Sequence, residues 1–145
     1  MSSQPHPRFS IERSGDTVVV GMSGDWDEQT AVDFGTAITQ FFDTVDEPVD
    51  FVVDMGAMTD CRILARGRLA DTHLRLKPRL RRSAYLSDRP RLRGVALWII
   101  HVADDANAKA VRDRKLAEAW LEKSVGRLQS AKDRLLATGG GGSNA

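Results

Sequence analysis

The chain has a single cysteine, Cys61, and no long hydrophobic run. One cysteine cannot form an internal disulfide, so we expect the reducing cytoplasm as its compartment. No stretch approaches the ~20 apolar residues that a transmembrane helix needs. The N-terminal residues also lack the basic and then apolar segments of a secretory signal peptide, which agrees with a cytoplasmic protein.

Residues that build metal, cofactor and catalytic sites are also scarce. Three histidines and one cysteine, scattered along the chain, do not give the spacing of a zinc site. Gly21 and Gly24 lack the third glycine of a dinucleotide-binding loop. No serine or cysteine nucleophile motif accompanies a histidine. We therefore expect no cofactor, no metal ion and no catalytic residue, and a protein that is not an enzyme.

What the chain does have is a strong separation of charge. Residues 1–60 carry 2 basic and 12 acidic side chains, a net charge of −10, whereas residues 61–93 carry 11 basic and 2 acidic ones, a net charge of +9. Such an asymmetry bears on partners and electric fields rather than on the fold. It is interpreted either as a basic surface for an acidic partner or as neutralisation within one molecule.

Hydrophobic patterning predicts a single α/β domain in these 145 residues. Residues 49–56 are a nearly continuous, β-branched apolar run that ends in an acid and a glycine, which is typical of a strand buried on both faces of a parallel sheet. The predicted strands are Phe9–Glu12, Thr17–Met22, Val49–Met55 and Arg93–His101, and the predicted helices are about Asp27–Val45, Ile63–Leu86 and Asp104–Ala137. The order β-β-α-β-α-β-α predicts a small open mixed sheet of about four strands with helices packed on it.

Local signals mark the ends of these elements. Gly15 indicates the turn of a hairpin between the first two strands, and Ser23–Asp25 is expected to end the second strand. Asp25 or Asp27 is a suitable N-cap for the first helix. Pro78 must kink or divide the second helix.

Composition divides the chain into four regions. Residues 1–8 and the glycine-rich residues 139–145 are predicted to be flexible, residues 9–124 to form the domain, and residues 125–138 to extend its last helix. The extension continues a partial apolar stripe, so it is a candidate surface for a second copy of the chain. A homodimer through this helix or through a sheet edge is therefore one expectation.

The functional groups of open α/β sheets are commonly found beyond the carboxyl ends of the strands. Here that place is Gly56–Arg62, which we interpret as a loop that leads into a basic helix. We predict that the loop and the helix form a docking face for a protein with an acidic surface, contacted by Arg62, Arg66 and Arg68. The predicted partner-binding residues are Thr59, Asp60, Cys61, Arg62, Arg66, Arg68 and Trp26.

Three segments resemble, in their order and spacing, the SpoIIAA-like branch of the STAS superfamily, the anti-sigma-factor-antagonist fold. Val18–Trp26 is similar to the strand, glycine and acidic-plus-apolar entry to the family's first helix. Phe51–Met55 is similar to its central strand with an aspartate at the end, and Leu116–Leu121 to the Glu-Ala-x-x-Leu signature of its last helix. The resemblance covers about residues 9–124 and implies a non-enzymatic regulatory module that binds proteins.

In partner-switching members of this superfamily, the loop after the central strand reads Asp-Ser-Ser-Gly. A serine there is phosphorylated by a kinase that is also the binding partner. The corresponding residues here are Asp60-Cys61-Arg62-Ile63, in which the aspartate matches but Cys61 and Arg62 occupy the hydroxyl positions. The resemblance therefore implies binding by the same surface without phosphorylation at this place. Thr59 is the nearest hydroxyl and a weak substitute.

Cys61 and Trp26 each have two interpretations. A cysteine at a helix N-terminus, close to Arg62 and Arg66, can be a reactive thiol or a small, partly buried apolar residue. Trp26 can be an exposed interface residue or can pack on the first helix.

The candidate polar groups also allow two interpretations. His73, within a predicted helix, and His101, at a predicted strand end, can act in acid–base chemistry, but lone histidines more often cap or hydrogen-bond the backbone. Asp54 and Asp60 can bind a cation, although a strand end for Asp54 and a cap of the second helix for Asp60 are the commoner roles.

The basic segment Arg75–Arg82, continued by Arg89, Arg91 and Arg93, allows partners other than a protein. Nucleic acid is disfavoured because aromatic residues are not interleaved with the basic ones and no helix-turn-helix pattern is present. An anionic membrane surface fits the charge but is not favoured. The alternative function is a small-ligand or lipid-binding SpoIIAA-like protein with a pocket between the second helix and the sheet.

Overall fold

The computed structural model describes residues 6–123, which form one five-stranded sheet with helices. The strands are β1 (Phe9–Ser14), β2 (Thr17–Trp26), β3 (Val49–Cys61), β4 (Leu80–Leu86) and β5 (Ala108–Val111), side by side in chain order. The helices are α1 (Glu28–Phe42), α2 (Ile63–Leu76), α3 (Pro90–Ala103) and α4 (114–123, as far as it is described). β1 runs antiparallel to β2, and the other neighbours are parallel. The predicted mixed α/β sheet is confirmed, with five strands rather than four.

β3 is the central strand and is buried on both faces, as predicted. Phe51 and Val53, 2% and 1% exposed, belong to the main core beneath α1, α2 and α3. Val52, 5% exposed, faces the other side of the sheet together with Ala84. β2 runs parallel to β3 with Val18 opposite Phe51. The sheet therefore separates a large core from a small one, and α4 covers the small one.

The first three helices lie on the same face of the sheet. Right-handed crossovers between parallel strands that advance in one direction place every connecting helix on that face. The buried apolar residues of α1 recur at steps of three and four: Ala31, Phe34, Ile38 and Phe42. The Asp27 carboxylate accepts a hydrogen bond from the Thr30 N–H at 2.9 Å. Of the two predicted N-caps, Asp27 is therefore the one that caps α1.

The predicted hairpin of β1 and β2 is confirmed, with Gly15 at φ +60° in its turn. β2 does not break at Ser23–Asp25, however, but continues to Trp26. Gly24 takes φ +74°, and the register with β3 shifts between Gly24 and Asp25. A bulge of this kind bends a strand without ending it.

The predicted helix Ile63–Leu86 is wrong beyond Leu76. A short 3₁₀ helix around Pro78 follows α2 and leads directly into β4. Proline lacks an N–H and cannot continue a helix, and the apolar residues after it pair with β3 instead. Pro78 thus divides the segment into a helix and a strand.

The predicted strand Arg93–His101 is wrong, because this segment belongs to α3. Its β-branched apolar run is typical of a buried strand, but its buried residues follow a helical period: Leu92, Val95, Ala96, Ile99 and Ala103. Pro90 stands in the first turn, where the fixed φ of proline favours a helix start.

The predicted helix Asp104–Ala137 is wrong at its start. Asp104, at φ +53°, is the C-cap of α3, and the short strand β5 follows before α4 begins at residue 114. A strand of four residues is too short to show a periodic pattern. The predicted extension over residues 125–138 and the predicted tail over residues 139–145 lie outside the described residues, so the homodimer stays a prediction.

Candidate functional site

The candidate site lies where β2 and β3 extend beyond the rest of the sheet. The pairing of β3 with β4 ends at Asp54 opposite Leu86, but β3 continues along β2 as far as Cys61 opposite Trp26. The interpretation of Gly56–Arg62 as a loop is therefore wrong, because nearly all of it is strand. Pairing with the longer β2 keeps this segment extended.

Two arginines lie along the side of β3 that has no neighbour among the described strands beyond Asp54. They are Arg89, the N-cap of α3, and Arg91 in the first turn of α3. The Arg89 guanidinium donates hydrogen bonds to the carbonyls of Gly56 and Met58. The Arg91 guanidinium donates to the carboxylate of Asp60. Sequence reasoning placed both arginines only in a general basic segment, because nothing local shows that the start of α3 lies beside β3.

Asp60 does not cap α2, contrary to the prediction. The N-cap residue of α2 is Arg62, whose side chain makes no capping hydrogen bond. Asp60 instead accepts a hydrogen bond from the Cys61 N–H at 2.8 Å. That hydrogen bond, together with Arg91, holds the pKa of Asp60 below its usual value.

The N-termini of α2 and α3 are without an acidic side chain. Neither helix has an acidic residue in its first turn, and neither N-cap residue makes a side-chain hydrogen bond to the helix. The first N–H groups of a helix carry the positive end of its dipole. Both helix starts can therefore accept a negative group from outside the helix.

The predicted docking arginines are already engaged within the molecule. Arg62 contacts Asp25 at 2.6 Å, and this carboxylate raises the pKa of Arg62. Arg68 contacts Glu28 at 2.9 Å. Arg66 donates from Nε to the Cys61 carbonyl at 2.8 Å. At Arg62 and Arg68 the opposite charges of the two segments neutralise each other, which is the second of the two interpretations of the charge asymmetry.

These ion pairs are exposed and therefore weak. The paired side chains of Arg62–Asp25, Arg68–Glu28 and Arg91–Asp60 are 40–63% exposed. An exposed ion pair contributes only about 0–1 kcal/mol to stability. An arginine in such a pair can exchange its own carboxylate for one from a partner at little cost.

Ile63 and Leu64 form an apolar surface at the start of α2. They are 77% and 64% exposed, follow Arg62 in the chain, and precede Arg68 by about one helical turn. Neither lies on the side of α2 that faces the core. The side that faces the core carries Ala65, Leu69, Ala70, His73 and Leu76, and a helical period anchored on Leu69 would have excluded Ile63 and Leu64.

Two predicted partner-binding residues are not on the surface. Cys61 and Trp26 are both fully buried. Burial raises the pKa of the Cys61 thiol to about 11, so the reactive-thiol interpretation is wrong. Trp26 packs against Phe34 of α1, and its indole N–H donates to the Ser23 carbonyl at 3.0 Å. Of the other predicted residues, Thr59, Arg62 and Arg68 are exposed, and Asp60 and Arg66 are half-buried.

His73 is buried and fully hydrogen-bonded. Its Nδ1 lies 2.7 Å from the Tyr85 hydroxyl and its Nε2 lies 2.8 Å from the Asp105 carboxylate. Burial alone would raise the pKa of Asp105, but the hydrogen bonds from His73 and from the Asn107 N–H, together with the nearby Lys77, keep this pKa below its usual value. This chain of hydrogen bonds ties α2 to β4 and to the turn after α3. His101, in contrast, is exposed on α3 and is not at a strand end.

The candidate cation ligands do not come together. Asp54 and Asp60 are six residues apart on one strand, about 20 Å at 3.3 Å per residue. Asp54 accepts a hydrogen bond from the Gly56 N–H at 2.8 Å. Residues 6–123 contain no cluster of three side chains suited to hold a metal ion. In the same range, every helix is too short or too polar to cross a membrane.

The predicted ligand pocket between α2 and the sheet is filled by side chains. Leu69, His73 and Leu76 of α2 are buried there with Phe51 and Tyr85 of the strands. A groove of about 420 Å³ lies between α1 and α2 instead.

No protein-family model matches the chain, and no curated protein sequence matches it. Solved structures do match. An uncharacterised protein of the DUF3478 family with a SpoIIAA-like fold, from Shewanella loihica PV-4, superposes with a TM-score of 0.59 at 17% identity, over 83% of this chain and 98% of that one. The anti-sigma factor antagonist SpoIIAA in its unphosphorylated form superposes with a TM-score of 0.54 at 17% identity, over 83% and 97%.

The chain has a SpoIIAA-like fold. The resemblance inferred from three sequence segments is thereby confirmed at the level of architecture. In this SpoIIAA-like chain, the segment that corresponds to Asp-Ser-Ser-Gly lies at the end of β3 and the start of α2. Cys61 is buried there, and the exposed side chains are those of Thr59, Arg62, Ile63 and Leu64.

Proposed function

We propose that the chain is a non-enzymatic regulatory module that binds a protein with an acidic surface. The docking face consists of exposed and half-buried residues at the end of β3 and at the starts of α2 and α3: Thr59, Asp60, Arg62, Ile63, Leu64, Arg66, Arg68 and Arg91. The observation that carries the proposal is the exposure of Ile63 and Leu64 beside two helix starts without acidic caps.

The docking face has the composition of a protein interface. Ile63 and Leu64 form an apolar centre, and Arg62, Arg68 and Arg91 surround it with charged groups. Burial of a leucine or isoleucine side chain contributes about 1.5–3 kcal/mol, and such anchors dominate binding when polar groups at the rim exclude water. A contact with Ile63 and Leu64 would therefore supply most of the affinity.

The preference for an acidic partner rests on the helix starts and the weak ion pairs. Carboxylates of a partner can accept hydrogen bonds from the free N–H groups of α2 and α3. They can also replace Asp25 and Glu28 as partners of Arg62 and Arg68. Binding should therefore become weaker as the salt concentration rises.

A regulatory role without catalysis is supported by the fold and by the buried polar groups. SpoIIAA, which shares the fold, is an anti-sigma factor antagonist. In this chain, the two side chains best suited to chemistry, Cys61 and His73, are 0% and 1% exposed. Neither can reach a substrate at the surface.

The test is capture of partners from a lysate of the source organism by the immobilised chain. Ile63→Asp/Leu64→Asp places two charges in the apolar centre, and Leu74→Asp, at a half-exposed position near the other end of α2, is the matched control. We expect one main species bound by the wild type and by Leu74→Asp, and lost with the double variant. Arg62→Glu/Arg66→Glu should weaken its capture most at low salt.

Equal recovery of the main species by the wild type and Ile63→Asp/Leu64→Asp would exclude this face. A bound amphiphile seen by native mass spectrometry, with no captured protein, would instead favour the ligand-binding alternative.

A further inference from the structure

A groove of about 360 Å³ follows the edge of the sheet at β5, two strands away from β3. One wall is β5, which pairs with β4 and has no second neighbour among the described strands. The other wall is one face of α4, whose lining residues recur at helical steps: Leu116, Ala119, Trp120 and Lys123. Within residues 6–123, the groove therefore lies between an edge strand and a helix face.

The groove is basic. Arg93 of α3, Lys109 of β5 and Lys123 of α4 come from three separate elements, and none of the described lining residues is acidic. Arg112 also lines it and lies 3.6 Å from the neighbouring Asp113. Positive side chains on every wall, without carboxylates between them, favour an anionic occupant.

Trp120 is held rigidly in this groove. Its indole N–H donates to the Ser83 carbonyl at 2.9 Å, and the buried Arg82 guanidinium lies 3.8 Å from the ring centre. The ammonium groups of Lys109 and Lys123 lie 5.2 and 6.0 Å from the same ring. A fixed aromatic side chain beside lysines offers apolar contact and charge at low entropic cost.

We propose that this groove, the β5 groove, binds an extended acidic peptide segment of another protein, which adds a strand beside β5. An edge strand supplies main-chain hydrogen bonds to an extended peptide, and pockets beside it select alternate side chains. Aspartate and glutamate of the peptide would contact Arg93, Lys109 and Lys123. Its apolar side chains would contact Trp120 and Leu116, of which Leu116 is 42% exposed.

The charge of the chain's own C-terminal segment disfavours it as the occupant. Residues 124–145 carry 3 basic and 1 acidic side chains, a net charge of +2, which has the same sign as the groove. An acidic segment of a different protein matches the groove in charge.

The test selects, from random peptides of about 12 residues, those that bind the full chain. Peptides that also bind the variant Lys109→Glu/Lys123→Glu are then removed. We expect enriched peptides in which acidic and apolar residues alternate. A synthetic copy should shift the NMR signals of the β5 amides and of the Trp120 indole N–H. Lys109→Glu/Lys123→Glu should weaken its binding at least about tenfold, whereas Arg62→Glu/Arg66→Glu, an equal charge change on the docking face, should leave it unchanged.

Four results would overturn this proposal. The first is that no peptide distinguishes the wild type from Lys109→Glu/Lys123→Glu, and the second is that the selected peptides contain no acidic residues. The third is that the peptide shifts NMR signals outside the β5 groove, and the fourth is that Arg62→Glu/Arg66→Glu weakens its binding as much as Lys109→Glu/Lys123→Glu does. Tighter binding of a single-stranded oligonucleotide at the same residues would assign the groove to nucleic acid instead. Dimers that Lys109→Glu/Lys123→Glu abolishes would assign it to a second copy of the chain.

Discussion

Cys61 and His73 are the two residues in which chemistry and structure are most closely linked. The Cys61 side chain lies within the main core at the end of β3. For His73, Nε2 is hydrogen-bonded to the Asp105 carboxylate and Nδ1 to the Tyr85 hydroxyl, so both ring nitrogens have buried partners. Both residues are therefore parts of the packing, and their contribution is to stability.

The Cys61 thiol should be protected from reagents in the folded chain. A pKa of about 11, against an ordinary 9.0, lowers the thiolate fraction about 100-fold near neutral pH. We expect negligible reaction with a chromogenic disulfide reagent at pH 8 and full reaction of one thiol in denaturant. The same rate under both conditions would show that Cys61 is accessible.

Tyr85→Phe should destabilise the fold. The substitution removes the hydroxyl that is hydrogen-bonded to Nδ1 of His73 and leaves this buried ring nitrogen without its partner. An unsatisfied buried polar atom costs about 1–3 kcal/mol. Urea unfolding followed by circular dichroism measures the loss. A change of less than about 0.5 kcal/mol would mean that water replaces the hydroxyl.

Among the elements, those with a clear period or a strong local signal could be predicted. The hairpin, α1 and the central strand each have such a signal, and in each of them the apolar pattern of the sequence agrees with the observed burial. The segment of α3 could not, because its β-branched residues favour a strand while its contact with α2 and β5 selects a helix. β5 has too few residues to show a pattern.

The sequence indicates the position of the candidate site in the fold but not all of the side chains that form it. The rule that functional groups lie beyond the carboxyl ends of strands led to the start of α2, where Arg62 and Thr59 are exposed. The burial of Trp26 and Cys61 depends on pairing between β2 and β3. The contribution of Arg91 depends on how α3 lies beside β3. The strand pairing and this helix position both join residues that are far apart in the chain, so no local pattern in the sequence reveals them.

Replacement of glycine by alanine should change the free energy of unfolding in opposite directions at the bulge of β2 and at a position within α2. Gly24 has φ +74°, and a Cβ there would lie 2.5 Å from the Arg8 side chain. Gly24→Ala should therefore lower the free energy of unfolding by about 1 kcal/mol or more. Gly67, within α2, has open space around a Cβ, so Gly67→Ala should raise it by about 0.4–1 kcal/mol. Equal effects in urea unfolding would contradict the assigned backbone conformations.

At the scale of the whole molecule, the acidic first part of the chain and its basic middle part meet in the folded state. The ion pairs that join them are Arg62–Asp25, Arg68–Glu28, Arg81–Asp16, Arg81–Asp50 and Arg91–Asp60. These contacts neutralise much of the asymmetry that the sequence shows. The remaining positive surface includes the β5 groove, where the lining basic residues come from the middle and last parts of the chain.

Acid should unfold the chain, and two aspartates should affect this in opposite directions. The pKa of Asp105 is lowered on folding, so its contribution to stability is present above the unfolded pKa and is lost as the pH falls. Burial raises the pKa of Asp50, so its protonation at low pH favours the folded state. Asp105→Asn should make the fall of the urea midpoint shallower below about pH 4, whereas Asp50→Asn should make it steeper above about pH 4, between the unfolded pKa and the raised folded pKa. Identical pH profiles for the two variants would contradict these assignments.

The order of the strands has a consequence for how the protein is made. Because each strand lies beside the one before it in the chain, its pairing partner has already left the ribosome when it emerges. Short-range pairing of this kind favours rapid folding, and the sheet can grow outward from the hairpin by one edge at a time. Of the described strands, the last to emerge is β5, which is one of the two edges that these strands leave without a second neighbour.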